Sequence, residues 1–265
     1  MDDMGRAGDI TTDSIVPAEI PAIGKIRNRK PGCIAGIGIA TSAFRLLEEG
    51  VEIELLKDDG SRVGENEILA VLNGSARTLL QGERTALNLL GHLSGIATAT
   101  CEMVRQVKGY GTKIACTRKT TPGLRSLEKY AVRVGGGFNH RFGLDDAVLI
   151  KENHIAVPGS VSEAVRRARG SIGHMVKVEI EVETIAQLQE ALELEIDAVL
   201  LDNMSVETVR EAVEFSRGRV LTEVSGGITP ENVVPLAAAG VDLLSVGYLT
   251  HSSPALDVTF EILPC

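Results

Sequence analysis

The sequence predicts an α/β protein in which a small antiparallel sheet precedes an incomplete α/β barrel of about six parallel strands. Two observations lead to this prediction. Up to about Arg77, short runs of alternating apolar and polar residues are separated by turn signals. From Lys113 onward, short apolar runs alternate with amphipathic segments, which is typical of strand–helix units around a parallel sheet. The chain has 265 residues, 44% of them hydrophobic, which is enough for a substantial core.

The N-terminal sheet is predicted from the runs "VEIELL" and "EILAVLNG" and from the turn signals "DDG" and "NG". A long helix should follow from about Ala76, because apolar residues recur every three or four positions through "ERTALNLLGHLSGIATATCEMVRQVK". Gly91 and Gly95 in this helix indicate close packing or a bend. The C-terminal "ALDVTFEIL" alternates again, so we expect it to return as a strand to the N-terminal sheet. The predicted domains are 1–98, 99–250 and the returning segment 251–265.

The barrel is predicted from six apolar runs: "KIACT", "AVLIK", "MVKVEIEV", "DAVLL", "VLTEV" and "VDLLSV". The helices between them include "SVSEAVRRAR", "TIAQLQEALEL" and "SVETVREAVEF". Ser205 is predicted to cap a helix, as is Thr229, with Pro230 in the first helical position. Such units form either a barrel or a doubly wound layer, and six are too few for a closed eight-stranded barrel. We therefore expect an incomplete barrel.

Composition argues against several classes of function. A net charge of −9 and an aromatic content of 3% without tryptophan do not suit a nucleic-acid-binding protein. No apolar run approaches the length of a membrane span, and the polar "MDDMGRAGDITT" does not resemble a signal peptide. The four cysteines, which show no metal-ligand or redox spacing, are expected to be reduced: Cys33, Cys101, Cys116 and Cys265. These features predict a cytoplasmic protein without nucleic-acid or membrane partners.

A basic segment interrupts this acidic chain. Between Lys113 and Lys151, four lysines and four arginines stand against three acidic residues. Arg118 and Lys119 precede "TTPG", which breaks a helix, so we expect them to bind an anion. Three further cations of "LRSLEKYAVRV" lie at helical spacing and are interpreted as a solvated helix face: Arg125, Lys129 and Arg133.

Polar residues follow each predicted barrel strand, where α/β barrels carry their functional groups. After the first four strands these are Arg118 and Lys119, then Lys151, then Glu179, Glu181 and Glu183, and then Asp202. Each could individually be a surface residue or half of a structural ion pair. Together the cations suit an anionic substrate, and Glu181 and Asp202 suit Mg²⁺ or ribose hydroxyls. The set favours a substrate with a phosphate and a metal-bound polyphosphate.

A phosphate site is predicted after the last two strands. Ser225, Gly226 and Gly227 form a turn before the helix expected at Thr229, and the final strand ends at Gly247. In barrels, such a turn and helix N-terminus bind phosphate through backbone N–H groups. "SGG" alone is more often a plain turn, but its position in the series favours the phosphate site.

Nine motifs occur in a specific order along nearly the whole chain: "GDITT", "ERTALNLLGHLSGIAT", "TRKTTPGLR", "GGGFNHR", "LIKENHI", "EIEVE", "LLDNMS", "SGGI" and "DLLSVG". In order and spacing they resemble the quinolinate phosphoribosyltransferase family. The resemblance implies an N-terminal open-faced α+β sandwich, an incomplete α/β barrel, and a homodimer or sometimes a hexamer. It also implies that quinolinate and phosphoribosyl pyrophosphate give nicotinate mononucleotide, pyrophosphate and CO₂, as a step of NAD synthesis.

The resemblance also implies roles for individual residues. Those implied to bind the pyridine dicarboxylate are Arg118, His140, Arg141, Lys151 and, from the neighbouring subunit, Arg84. Those implied to be catalytic around phosphoribosyl pyrophosphate are Lys119, Lys151, Glu181 and Asp202, and the two carboxylates are also the implied Mg²⁺ ligands. The implied 5′-phosphate cradle is Ser225, Gly226, Gly227 and Gly247. Cys116 stands where the family often has Asp, so a contact behind the substrate-binding residues is expected to differ.

Other interpretations remain open at this point. Lys151 at a strand end could form a Schiff base, as in an aldolase. A nicotinate phosphoribosyltransferase would need fewer cations for carboxylates, together with ATP-coupling features that the sequence does not show. A related molybdenum-associated branch also resembles this fold, although "KENH" favours the quinolinate branch. The stretch "DDGSRVGENEILAVLNG" resembles a biotinyl or lipoyl carrier hairpin, but "LNGSA" has no lysine at the tip.

Overall fold

The computed structural model describes residues 3–264, which divide into two compact units. The sheet unit runs up to Cys101 and also contains Ser126–Gly135 and the chain from Ser253 onward. The barrel unit consists of Glu102–Arg125 and Gly136–Ser252. Within the described residues, no helix is both long and apolar enough to cross a membrane.

The elements follow one another in the chain as α1 (Ile10–Ile15), β1 (Pro21–Asn28), β2 (Gly32–Cys33), α2 (Ile37–Leu47), β3 (Glu52–Leu55), β4 (Arg62–Val63), β5 (Ile68–Ser75), α3 (Ala76–Gln106), β6 (Lys113–Ala115), α4 (Arg125–Val134), β7 (Val148–Ile150), α5 (Glu152–Ala156), α6 (Val161–Ser171), β8 (Val178–Val182), α7 (Ile185–Leu192), β9 (Ala198–Asp202), α8 (Val206–Ser216), β10 (Leu221–Ser225), α9 (Val233–Ala238), β11 (Leu243–Ser245), α10 (Tyr248–His251) and β12 (Val258–Pro264).

The sheet unit contains a four-stranded antiparallel sheet in the order β12–β1–β5–β3. The predicted hairpin runs and the returning C-terminal strand are therefore confirmed. Burial alternates along β1, as expected for a sheet that is covered on one face. Phe44 of α2 and Leu79 of α3 share one hydrophobic core with Ile26 and Leu72 of the sheet.

The long helix predicted from Ala76 is confirmed as α3, which spans 31 residues. Its glycines allow close packing of the segment that leads into β12. The backbone N–H of Leu256 donates to the carbonyl of Gly91 at 2.9 Å. A Cβ atom at Gly95 would lie 2.3 Å from the carbonyl oxygen of Pro254, which is too close for any other residue without a shift of the backbone.

The barrel unit contains a six-stranded parallel sheet in the order β6–β11–β10–β9–β8–β7. All six predicted strands are confirmed. The intervening helices begin at hydroxyl caps, because Ser160, Thr184 and Ser205 each accept a backbone N–H from three residues further along the chain. Ser205 is therefore an N-cap, as predicted.

This parallel sheet curls. Phe138 forms a parallel bridge with Ala115 of β6, and two residues later His140 Nε2 lies 3.1 Å from Glu179 Oε2 of β8. In a flat sheet, positions so many strands apart would be separated by more than about 20 Å. The strands must therefore curve around a shared interior, while within the described residues no pairing joins β6 to β7. The fold is the predicted incomplete barrel with a separate antiparallel sheet.

The predicted N-cap at Thr229 is wrong. Helix α9 begins at Val233 and its N-cap is Asn232. The side chain of Asn232 accepts from the Thr229 N–H at 2.8 Å and donates to the Gly227 carbonyl at 2.9 Å, which stabilises a turn in place of a first helical turn. Pro230 lies within this turn.

The predicted solvated face of α4 is wrong at Lys129. This lysine is 2% exposed, and the adjacent Glu128 is fully buried with its Oε1 atom 2.9 Å from His92 Nε2. Both residues belong to the sheet unit, whose packing covers this face of the helix. Arg133 is exposed, as the interpretation expected, and Arg125 is half-buried.

Candidate active site

The carboxyl ends of the barrel strands form one rim, here called the functional rim. Asp202 at the end of β9 is level with Ser225 at the end of β10, and Ser225 is level with Ser245 of β11. Ser245 in turn is level with Ala115 of β6, just before the Arg118–Lys119 segment. Because these strands are parallel, the polar groups that follow them lie at the same edge of the sheet.

Lys151 and Glu181 form an ion pair at this rim. Lys151 follows β7 and caps α5, and its Nζ contacts Glu181 Oε2 of β8. The lysine side chain is 45% exposed and the glutamate 12% exposed. A Schiff-base lysine must be neutral and desolvated to attack a carbonyl, so a half-exposed, ion-paired lysine does not favour the aldolase alternative.

Asp202 lies beside the glycine turn. Its Oδ2 accepts from Asn203 Nδ2 at 2.7 Å, and the Asn203 N–H donates to the carbonyl of Ser225 at 3.0 Å. A Cβ atom at Gly226 would lie 2.1 Å from Asn203 Oδ1, and φ at Gly226 is +98°, so both space and conformation require glycine there. The sequence predicted these two groups separately, and the structure brings them together.

Gly247, after the final barrel strand, lies close to the side chain of Lys119. A Cβ atom at Gly247 would lie 3.2 Å from Cδ of Lys119. The hydroxyl of Thr250 on α10 donates to the carbonyl of Lys119 at 2.7 Å, which fixes the segment after β6 against the helix that follows β11. Lys119 itself is exposed, so its ammonium group faces solvent at the rim.

Arg118 and Arg141 form a pair of like charges. Burial, followed by the positive charge of Arg118, lowers the pKa of Arg141. Arg141 Nη1 donates to the carbonyl of Ala147 at 3.0 Å, yet within residues 3–264 the Nε atoms of both arginines are buried without a hydrogen-bond partner. Two close guanidinium groups with unused donors indicate a site for an anion, and planar carboxylates match their geometry.

His140 lies deeper, between two glutamates. Its Nε2 atom is 3.1 Å from Glu179 Oε2 and 3.4 Å from Glu223 Oε1, while its Nδ1 accepts the N–H of Arg141 at 2.8 Å. Burial lowers the pKa of His140, and the hydrogen bond that the ring donates to Glu179 and the charge of Glu223 raise it by more. A second ring proton would nevertheless face the amide hydrogen of Arg141, so we assign the neutral ring with its proton on Nε2.

Glu223 was not among the predicted site residues. It is 4% exposed, and its Oε1 accepts from the hydroxyl of Ser245. Burial and the negative charge of Glu179 raise the pKa of Glu223 to about 7. The available signal was a single acidic residue within the apolar run "VLTEV", a pattern that suits an exposed strand position equally well.

Comparison with known proteins gives one consistent result. Residues 9–94 match the N-terminal domain and residues 96–261 match the C-terminal domain of quinolinate phosphoribosyl transferase. The chain belongs to the quinolinate phosphoribosyl transferase family. The resemblance seen in the motifs is thereby confirmed.

Individual relatives from this family are similar to the chain over nearly their whole length. A Bacillus subtilis protein named "Probable nicotinate-nucleotide pyrophosphorylase [carboxylating]" is 46% identical over 99% of this chain and 90% of its own length. Nicotinate-nucleotide pyrophosphorylase [carboxylating] of Mycobacterium leprae is 44% identical, over 98% and 93%. The structure of nicotinate-nucleotide pyrophosphorylase from Ehrlichia chaffeensis is 41% identical with a TM-score of 0.95, over 99% and 95%.

Within this family member, the barrel unit contains all but one of the predicted site residues. Arg84 is the exception, because it lies on α3 in the sheet unit, 62% exposed and 3.8 Å from Glu83. Its action in a neighbouring subunit stays a prediction.

At the position where the family often has Asp, the thiol of Cys116 lies 3.3 Å from Asn139 Oδ1. Among the described residues, Cys33 and Cys101 are free thiols, and Cys265 lies outside them.

Proposed function

We propose that the chain transfers the phosphoribosyl group of phosphoribosyl pyrophosphate to quinolinate and decarboxylates the product. Nicotinate mononucleotide, CO₂ and pyrophosphate are formed, in a step of NAD synthesis. Family membership and the names of the relatives support this activity. The structural observation that carries it is the pair Arg118 and Arg141, whose unused donors suit an anion with more than one planar carboxylate.

Binding and positioning account for most of the proposed catalysis. Arg118 and Arg141 bind the carboxylates of quinolinate, and Lys119 and Lys151 bind the phosphates of the second substrate. The pyridine nitrogen then forms a bond to the anomeric carbon of ribose as the bond to pyrophosphate breaks. The ribosyl group passes through a cation-like state, so a rim of fixed charges lowers the barrier without a protein nucleophile.

Decarboxylation follows from the first step. Once the ring nitrogen carries ribose it is positively charged, and it withdraws the electron pair that the departing carboxylate leaves on the adjacent carbon. A proton then replaces CO₂ at that carbon. The cations at the rim hold the intermediate in place while the carbon–carbon bond breaks.

Mg²⁺ fits this site as part of the second substrate. Among the described residues, the one group of three or more closely spaced His, Cys, Asp or Glu side chains is His140, Glu179 and Glu223, which are held by one another. Glu181 and Asp202 instead offer oxygen ligands at the rim, which suits an ion that binds through one or two carboxylates plus substrate phosphates. When bound, Mg²⁺ neutralises the charge of the departing pyrophosphate. We further propose that the enzyme is cytoplasmic and works as a homodimer.

A direct assay tests the proposed activity. The purified chain is incubated with quinolinate, phosphoribosyl pyrophosphate and Mg²⁺, and nicotinate mononucleotide, CO₂ and pyrophosphate are quantified. Equal amounts of the three products are expected. Pyrophosphate release without nicotinate mononucleotide, or no turnover by folded protein, would contradict the proposal.

A further inference from the structure

Four polar side chains meet in the interior of the barrel unit. This interior cluster consists of His140, Glu179 of β8, Glu223 of β10 and Ser245 of β11. Glu223 and Ser245 are 4% and 3% exposed. Neither has a part in the proposed chemistry. A buried carboxyl group is costly unless it is fully hydrogen-bonded, so its place in this interior requires a reason.

The contacts of the cluster form a continuous series that ends at the rim. The Ser245 hydroxyl donates to Glu223 Oε1, and that oxygen lies 3.4 Å from His140 Nε2. On the other side of the imidazole, Nδ1 accepts the backbone N–H of Arg141. Each contact fixes the next, because the proton on Nε2 must face the glutamates for Nδ1 to accept from the backbone.

Arg141 is therefore held at two points. Its backbone N–H is bound to the imidazole at 2.8 Å, and its Nη1 donates to the Ala147 carbonyl at 3.0 Å. If the imidazole turned away from Glu223, only the contact at the guanidinium tip would remain. The direction of the guanidinium group thus depends on a glutamate on another strand.

We propose that Glu223, supported by Ser245, is a positioning residue for the pyridine dicarboxylate: through His140 it orients Arg141 for bidentate carboxylate binding. The inference rests on the proposed function for the identity of that dicarboxylate. It assigns Glu223 to quinolinate binding and not to phosphoribosyl pyrophosphate. It also gives His140 a role as a link between Glu223 and Arg141, beside the dicarboxylate binding that the resemblance implies.

The test uses three variants of the full chain. Glu223→Leu keeps much of the side-chain volume but removes both contacts, whereas Glu223→Gln keeps an oxygen that can accept from Ser245 and His140. Thr222→Val is the matched control, since Thr222 is 3% exposed, lies on the same strand and hydrogen-bonds Asp242 at the opposite end. KM for each substrate, kcat and the melting temperature are measured for each.

We expect Glu223→Leu to raise KM for quinolinate about 10-fold and to leave KM for phosphoribosyl pyrophosphate within about 2-fold. Glu223→Gln should return most of this loss, and Thr222→Val should lower the melting temperature without changing either KM. Equal increases in both KM values, or a Gln variant no better than Leu, would overturn the proposal. If the Leu variant does not fold, Ser245→Ala should raise KM for quinolinate alone, by about 3-fold.

A second readout does not depend on activity. Long-range ¹H–¹⁵N spectra of protein labelled at its five histidines report the tautomer of each ring, and a His140→Asn variant assigns the signal. The wild type should show a proton on Nε2 of His140, and in Glu223→Leu the signals of that ring should shift towards a mixture of tautomers, because only Glu179 then faces Nε2. An unchanged His140 spectrum in that variant would overturn the positioning role. Absence of wild-type turnover with an intact Nε2–H signal would instead contradict the proposed function alone.

Discussion

Both ends of the barrel sheet carry charged residues, but the two ends differ in whether the protein itself supplies hydrogen-bond partners for them. At the amino ends, Asp197 accepts from Arg169 at 2.7 Å, from Lys177 at 2.6 Å and from the Val178 N–H at 2.8 Å. Asp242 likewise accepts from both the N–H and the hydroxyl of Thr222. These charges are satisfied by the protein itself.

At the functional rim, charges are left for a ligand. Arg118 and Arg141 repel one another and have buried donors without a partner in the described chain, and Glu179 Oε1 is also buried without one. Among the described charged side chains of the barrel unit, the buried atoms without a hydrogen-bond partner belong to Arg118, Arg141 and Glu179. Unsatisfied charged groups, and not charged groups as such, therefore distinguish the functional end of this sheet. Substitutions at the amino ends should alter stability, and substitutions at the rim should alter turnover.

The largest expected effect concerns Arg84 and the rim together. We expect Arg84→Ala and Lys151→Ala homodimers each to be nearly inactive, if Arg84 completes the site of a second subunit. Random mixing of the two variants should return about a quarter of wild-type activity per site, because half of the dimers then carry one intact site. Activity is measured after subunit exchange, which is verified by mass spectrometry. Exchanged mixtures as inactive as their parents would exclude action of Arg84 in a second subunit.

The next effect separates the two ends of the sheet directly. Arg141→Lys should lower kcat/KM for quinolinate about 100-fold, since an ammonium group cannot bind a carboxylate in bidentate fashion. Its melting temperature should change little, because lysine keeps the positive charge and only the contact of Nη1 with the Ala147 carbonyl is lost. Arg169→Lys is the control at the amino end and should show the reverse pattern. If both variants lose activity equally, the distinction between the ends is wrong.

A smaller kinetic effect should follow from Asp202. We expect Asp202→Asn to lower kcat/KM for phosphoribosyl pyrophosphate about 30-fold and to raise the Mg²⁺ concentration needed for half-maximal rate. KM for quinolinate should change little, because the arginine pair remains. Steady-state kinetics at several Mg²⁺ concentrations measure both effects. Unchanged Mg²⁺ dependence would mean that Asp202 only supports Asn203 and the glycine turn.

The smallest effect is expected at Asp197. Burial raises its pKa, but hydrogen bonds from Lys177, Val178 and Arg169 lower it by more, to about 2 from 3.8. A carboxyl group with a depressed folded-state pKa stabilises the protein above pH 3.8, and this contribution is lost as pH falls through the folded value. Asp197→Asn should therefore lower the free energy of unfolding by about 1 kcal/mol at neutral pH, with kcat unchanged.

The pH series for Asp197→Asn sharpens this expectation. The difference in melting temperature from wild type should be constant between pH 7 and about pH 5 and should shrink as pH falls below about 4. Calorimetry at constant ionic strength measures it. A difference that persists undiminished at pH 3 would show that the stabilisation does not come from the ionised carboxylate.

The sequence predicted the fold well because its signals are local. Continuous apolar runs such as "DAVLL" are typical of strands covered on both faces, and strict alternation in "ALDVTFEIL" is typical of a sheet covered on one. The helix start was missed at Thr229 because the deciding contacts come from the side chain of Asn232 three residues later. Lys129 was misjudged because helical spacing shows that residues share a face but not whether that face is covered.

The sequence predicted the candidate-site residues that are charged and directly follow a predicted strand. Strand ends placed Lys151, Glu181 and Asp202 at one rim without further information. The sequence did not predict Glu223 as a site residue, because its role depends on contact with His140. That contact exists only because the sheet is curved. The sequence also did not predict that the two arginines have unused donors, because only the three-dimensional structure shows which donors have a hydrogen-bond partner.

Discrimination between quinolinate and nicotinate tests the central claim most directly. Nicotinate lacks the second carboxylate, so it would leave a half-buried guanidinium of the Arg118–Arg141 pair without a partner, at a cost of several kcal/mol, or about 1,000-fold in kcat/KM. We measure kcat/KM for both acids with saturating phosphoribosyl pyrophosphate and Mg²⁺. The account predicts turnover of quinolinate and a nicotinate rate lower by about that factor. Comparable kcat/KM values for the two acids would contradict it.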